Sequence, residues 1–138
     1  MKILVVDDEP PICLIVSRLL KQAGHEVATA ENGQVAWEIF QRERFEMVIT
    51  DLVMPEMDGL DLIRNIRSVN REVYTYLLIL TVVTEPKYVI EGHQAGADDY
   101  LTKPIDTLEL LTRVKLGERF LNLEERLREA LRRAGEKP

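Results

Sequence analysis

Short apolar runs, each closed by a polar residue, alternate along this chain with stretches whose apolar residues recur every three or four positions. Ile3-Leu4-Val5-Val6 and Met47-Val48-Ile49-Thr50 are such runs, and residues 76–81 form another. A strand buried on both faces reads this way, because neither side of it needs a polar residue. Residues 26–30 and Asp99-Tyr100-Leu101 read as two more strands. Between them Ile12, Ile15, Val16, Leu19 and Leu20 keep helical spacing up to Gly24, and Val35, Ala36, Ile39 and Phe40 do so after Asn32, whose side chain suits an N-cap. Leu60, Ile63 and Ile66 follow the breakers Pro55 and Gly59, and residues 87–95 make a fourth helix. After Lys103-Pro104, Ile105, Leu108 and Leu111 open a last helix that runs on to about Ala134. Strands and helices alternating five times predict an α/β domain, a doubly wound five-stranded parallel sheet with right-handed crossovers.

A chain of 138 residues can bury one core without staples. No window reaches the roughly 18 apolar residues of a membrane span, and Asp7-Asp8-Glu9 interrupts any signal peptide. The single cysteine, Cys13, excludes an internal disulfide and reads as a buried core thiol, so the expected setting is cytoplasmic. Residues 1–112 carry 10 Lys/Arg against 19 Asp/Glu, which argues against direct nucleic-acid contact; residues 113–138 carry 8 against 5. His25, His93 and Trp37 lie away from any cluster and read as surface or packing residues.

In a doubly wound sheet, functional groups collect where the carboxyl ends of the strands open into loops. Those ends carry Asp7-Asp8, Asp51, Thr81 and Lys103. Taken alone, Asp7-Asp8 would serve equally well to cap the first helix, Lys103 as a turn lysine and Thr81 as a strand-end hydroxyl. Together they make a set. Three carboxylates sharing one cleft repel each other, and a hard divalent cation relieves them; an all-oxygen, partly hydrated site suits Mg²⁺, with no Cys/His cluster for zinc. A carboxylate, such a cation, a hydroxyl and an ammonium are the parts needed for phosphoryl transfer, with Asp51 as nucleophile and Lys103 and Thr81 on the phosphoryl oxygens.

The stretches Ile3-Leu4-Val5-Val6-Asp7-Asp8-Glu9, Asp51-Leu52-Val53-Met54-Pro55-Glu56-Met57-Asp58-Gly59, Thr81 and Gly96-Ala97-Asp98-Asp99-Tyr100-Leu101-Thr102-Lys103-Pro104 resemble the receiver domain of the bacterial two-component response regulator family. The resemblance implies a flavodoxin-like strand order of 2-1-3-4-5. It implies phosphotransfer to Asp51 from a sensor histidine kinase or a histidine phosphotransfer protein. It further implies Mg²⁺ held by Asp8, Asp51 and the Val53 backbone carbonyl, with Asp7 acting through water. Thr81 and Tyr100 would move together as the switch, and Lys103-Pro104 would be cis.

Two departures from the family pattern concern rates. Val82 stands where a small residue is usual and would narrow the way to Asp51, while Val53 and Val83 are apolar beside the water that attacks the acyl phosphate. The sequence divides into a receiver domain at 1–112 and an extension of the last helix at 113–138. In that extension Leu116, Phe120, Leu123, Leu127, Ala130 and Ala134 keep a coiled-coil period, pointing to a homodimer through a parallel coiled coil rather than a helix folded back on its own domain, with Gly117 as a weak point. Two rivals remain. A phosphorylation-independent docking or dimerisation module would not need the Asp8, Asp51, Thr81, Lys103 set, and an aspartyl phosphatase would want a carboxylate where Val53 stands.

Overall fold

A computed structural model of the chain describes residues 1–69 and 71–136. Ten elements alternate: β1 (Lys2–Val6), α1 (Pro10–Gln22), β2 (Glu26–Ala30), α2 (Gly33–Arg42), β3 (Met47–Thr50), α3 (Gly59–Ser68), β4 (Tyr76–Thr81), α4 (Pro86–Ala95), β5 (Asp99–Thr102) and α5 (Thr107–Glu136). The strands form one sheet in the order β2-β1-β3-β4-β5. All four pairings are parallel, with Val6 opposite Thr50 and Thr81 opposite Thr102. Every strand therefore ends at the same rim.

Alternate residues of the central strands feed two cores. Leu4, Val6, Val48, Leu77 and Ile79 pack on one face with Phe40, Leu62 and Ile63 from α2 and α3. Ile3, Val5, Met47, Ile49, Leu78 and Leu80 pack on the other with Val16, Leu20, Leu110 and Val114 from α1 and α5. This is why their sequences read as unbroken apolar runs. Asn32 caps α2 by accepting the Val35 N–H at 2.8 Å, as its sequence position predicted. Arg67 at the end of α3 ties the layers together by donating to the Gly96 and Thr75 carbonyls and to Asp98, which also accepts from Tyr74 at 2.5 Å. No helix among the described residues is long and apolar enough to cross a membrane.

The last helix differs from its sequence reading in two places. Leu108, one of the apolar residues expected to open it, is 75% exposed, and Asp106 opens the helix by accepting the Glu109 N–H at 2.9 Å. Gly117, read as a weak point, lies on the buried face between Leu110, Val114 and Leu121. A Cβ there would stand 2.5 Å from Met47 Cε and 2.9 Å from the Tyr76 ring. The glycine lets α5 lie close against β3 and β4. Gly117→Ala gains up to about 1 kcal/mol of helix propensity but overpacks a fixed ring, which costs about 1–3 kcal/mol. Urea unfolding is expected to show a net loss of stability, whereas Ala at a solvent-facing position such as Asn122 is expected to cause none.

Candidate functional site

The site is built at the carboxyl rim. The chain leaves β1 through Asp7, whose Oδ1 accepts the Glu9 N–H at 2.9 Å. That bond shapes the turn into α1, whose N-cap residue Glu9 makes no side-chain cap of its own. Asp51 follows β3 and stays in the ladder, its N–H donating to the Val6 carbonyl at 3.0 Å. Its Oδ1 accepts from the Leu52 N–H at 2.7 Å, which fixes the plane of the carboxylate. The loop beyond folds back so tightly that a Cβ on Gly59 would strike the Asp51 carbonyl oxygen. Within that loop Glu56 holds a left-handed φ of 68° directly after Pro55.

Lys103 follows β5, two strands along the sheet from β3, its N–H donating to the Thr81 carbonyl at 2.8 Å, and the Lys103–Pro104 peptide is cis. Its ammonium, on a side chain only 6% exposed, lies 2.7 Å from Asp7 Oδ2, 2.9 Å from Asp51 Oδ2 and 2.9 Å from Glu9 Oε2. Burial would lower the lysine pKa, but hydrogen bonds to Asp7, Asp51 and Glu9 raise it above its ordinary value. Burial also dominates at Asp7 and pushes its carboxyl up, with the Lys103 contact pulling the other way. Carboxylate oxygens of Asp7, Asp8 and Asp51 all lie within 4.8 Å of one another, with Asp8 the exposed member. Three hard oxygen donors with one shared ammonium leave net negative charge, and this set fits a divalent cation such as Mg²⁺.

Thr81 is fully buried at the end of β4, and its Oγ1 accepts the Val83 N–H at a long 3.4 Å. Tyr100 on β5 donates its hydroxyl to the Val83 carbonyl at 2.6 Å. Thus the two residues meet through the backbone of one residue, Val83, rather than directly. Val53 and Val82 are exposed, at 66% and 67%, but Val83 packs against the core on the α2–α3 face.

Glu9 joins the lysine although only its neighbours Asp7 and Asp8 were singled out from sequence; its place in the same acidic run was the available signal. Cys13 is half-buried, not fully buried, and its thiol reaches the Asp7 carbonyl at 3.3 Å. His93 bonds the Ala97 carbonyl at 3.0 Å, away from the rim.

A family model described as the response regulator receiver domain matches residues 3–115. The transcriptional regulatory protein TrcR of Mycobacterium tuberculosis is 36% identical over 133 residues, covering 96% of this chain and 51% of its own length. SrrA of Staphylococcus aureus is 35% identical over 114 residues, covering 83% of this chain and 46% of its own length. The chain thus spans about half the length of these curated relatives. The solved chemotaxis response regulator CheY4 of Vibrio cholerae aligns with a TM-score of 0.79 at 36% identity, over 84% of this chain and 97% of that one. Fold and rim together define a doubly wound α/β domain with an acid-and-lysine cluster at its carboxyl edge. Within that class the chain belongs to the response regulator receiver domain family, the modules of phosphorylation-based two-component signalling.

The geometry ranks the partners of Lys103. Removing the ammonium leaves Asp7 and Asp51 buried without a counter-charge, which costs about 3–5 kcal/mol. Glu9, with a side chain 58% exposed, keeps its water. In urea titrations with a chelator present, Lys103→Met is expected to be strongly destabilised and Glu9→Gln to stay within about 1 kcal/mol of wild type. Equal losses would contradict the ranking.

Proposed function

We propose that Asp51 is the residue that accepts the phosphoryl group, from a phosphohistidine on a sensor histidine kinase or a histidine phosphotransfer protein. The observation that carries this is the fixed Asp51 carboxylate 2.9 Å from the Lys103 ammonium, beside Asp7 and Asp8. An Asp51 oxygen attacks phosphorus, and the phosphorus–nitrogen bond breaks. The imidazole nitrogen keeps the electron pair and takes a proton from solvent. Lys103 exchanges part of its carboxylate contacts for a phosphoryl oxygen. Asp8, Asp51 and the Val53 carbonyl would hold Mg²⁺, with Asp7 acting through water, and the bound ion would supply further positive charge at those oxygens.

Thr81 donates its hydroxyl to another phosphoryl oxygen. That turn takes its Oγ1 from the Val83 N–H, and Tyr100 then responds through the carbonyl of the same residue. In this reading residues 1–112 are the receiver and residues 113–138 an extension through which two chains pair; neither segment contacts nucleic acid. The domain acts in the cytoplasm as a phospho-acceptor switch that promotes its own loading and slow dephosphorylation, not as a multiple-turnover enzyme.

Incubated with Mg²⁺ and acetyl phosphate, the protein is expected to gain one phosphoryl group by intact mass, stable in acid and lost in base. Asp51→Asn is expected to gain none, and a chelator to prevent the gain. A variant that loads as readily as wild type would overturn the assignment, and indifference to Mg²⁺ would favour the docking-only module.

Lifetime is a separate expectation. Hydrolysis needs a water held in line with the phosphorus–oxygen bond, and an apolar Val53 offers it no partner. The inward packing of Val83 leaves Val53 as the better position to test. One orienting hydrogen bond is worth about 1 kcal/mol, so Val53→Asn should speed decay roughly fivefold to tenfold. The loaded protein, freed of donor at constant Mg²⁺, is followed by Phos-tag gel, and unchanged decay would count against a role for Val53.

A further inference from the structure

The amino ends of the strands carry a second concave site, a full strand away from the acidic rim. A cleft of about 560 Å³ opens between the segment that joins α2 to β3 and the one that joins α3 to β4. That volume falls within the roughly 300–1,000 Å³ of small-molecule sites. Phe45 and Thr75 line its inner side, both buried, with the Thr75 hydroxyl donating to the Phe45 carbonyl at 3.2 Å. Arg42, Arg44 and Arg71 line the rest of its wall on both segments.

Charge sets this cleft apart. Among the described residues none of the three guanidinium groups forms an ion pair, in a chain whose formal net charge is −6. Carboxylates beside them are committed elsewhere: Glu43 takes the Lys2 ammonium at 2.7 Å, and Glu46 accepts the Lys2 main-chain N–H at 3.3 Å. Arg71 is held in place without a counter-charge. Its Nη2 donates to the Phe40 carbonyl at 2.7 Å and its Nη1 to the Glu43 carbonyl at a long 3.5 Å. The guanidinium also lies 4.2 Å from the centroid of Phe40, a buried ring stacked with Trp37 and Phe45. A guanidinium has five N–H donors, so most of those on Arg71 are left over, and carbonyl acceptors fix the fork without neutralising it. Such forks pair with phosphate oxygens two at a time. A single phosphate would leave most of the cleft empty. The remaining wall offers Val73, 42% exposed, and Glu72, which makes no ion pair among the described residues. One apolar side chain and one acceptor suit a nucleoside, whose base has an apolar face and whose amine and hydroxyl groups donate.

We propose that this cleft binds a nucleoside di- or triphosphate, with its phosphates on Arg42, Arg44 and Arg71 and its nucleoside against Val73 and Glu72. Bound there, the nucleotide is a ligand and not a phosphoryl donor to Asp51. The four residues of β3 lie between Glu46 and Asp51, a span of about 13 Å at 3.3 Å per residue. The acidic rim does not repel it strongly, because charges are screened over about 8 Å at physiological salt. The proposal stands apart from phosphotransfer and holds whether or not Asp51 is loaded.

Isothermal titration of the full chain tests this, with a chelator present so that Mg²⁺ cannot bridge phosphates to the rim. ATP and ADP are each expected to bind at one site per chain. Tripolyphosphate and inorganic phosphate should bind roughly tenfold more weakly or worse. Arg42→Ala with Arg44→Ala removes two exposed side chains, which leaves the fold alone, and should weaken ATP roughly tenfold or more. Arg18→Ala with Lys21→Ala takes the same charge from α1 and should leave ATP binding within about twofold. Arg71→Lys keeps the charge but loses the fork, and should weaken binding as well. Val73→Trp fills the cleft at constant charge and should block it, while Asp51→Asn should bind as wild type does. No binding at millimolar ATP, or equal losses in the two double variants, would overturn the site. Equal affinity for ATP and tripolyphosphate would overturn the nucleoside, and loss of binding in Asp51→Asn would overturn the location.

Discussion

One ammonium holds three carboxylates together at the mouth of the sheet. Lys103 follows β5, Asp7 and Glu9 follow β1 and Asp51 follows β3, yet all three contacts are between 2.7 and 2.9 Å. Only a parallel sheet brings residues so distant in sequence to one rim, because every strand in it ends on the same side. The charges do not balance. With Asp8 included, four carboxylates face a single cation, and Asp7 is already buried enough for its carboxyl to be raised. Water screens the exposed Asp8 and Glu9 but reaches Asp7 and Asp51 poorly, so the buried pair is poised to take up more positive charge. A divalent cation meets that need, and it also offsets the charge a phosphoryl group would bring in.

Seen from Lys103, the rest of the rim is a chain of short links. Its main-chain N–H bonds the Thr81 carbonyl, the Thr81 hydroxyl accepts from the Val83 N–H, and the Val83 carbonyl accepts from Tyr100. The middle link is the long one, at 3.4 Å, and therefore the one that gives way most readily. Burial, with the Asp51 charge adding to it, holds the Tyr100 hydroxyl protonated and able to donate. A group arriving at Asp51 that recruits the Thr81 hydroxyl thus competes with one weak bond rather than with the whole chain. Sub-ångström changes suffice at such a link, because the alternatives are discrete hydrogen-bond partners.

Sheet, helices and rim were legible in the sequence for a simple reason. Strands buried on both faces must be apolar throughout, so the polar residue that ends each run marks the rim. Asp7, Asp51 and Thr81 stand out on that ground, and Lys103 by its place between the fifth strand and Pro104, whereas the strand order came from the family resemblance. What stayed hidden depends on distances across the fold. Glu9 is chemically like many surface glutamates, and its contact with Lys103 exists only because α1 turns at Asp7. A glycine in a helical pattern looks like a defect; that Gly117 faces the Tyr76 ring is a fact of the docked surface. Glu56 gave no sign of its left-handed φ, since the turn residues that favour that region are Gly and Asn. Val83 was placed beside the attacking water by its position in the family pattern, while the structure turns its side chain toward the core.

The acidic rim and the exposed apolar line of α5 are joined by a short stretch of chain. Only Pro104, Ile105 and Asp106 separate Lys103 from the first residue of α5, and that helix runs unbroken for 30 residues. Its first half is clamped to the sheet through Leu110, Val114 and Gly117, the last of these pressed on Met47 of the strand that leads to Asp51. Beyond Leu121 the helix exposes Leu123 and Leu127, while Arg128 still reaches back to the Glu72 carbonyl at 3.1 Å. If Lys103 shifts, the displacement reaches the root of α5 first, and the helix can carry it outward as a lever. The tight seat at Gly117 sets the pivot of that lever. A larger residue there would move the helix off β3 and β4 and change the angle at which its outer half meets a partner. Close packing at one glycine thus fixes both the stability of the docked half and the direction of the exposed half.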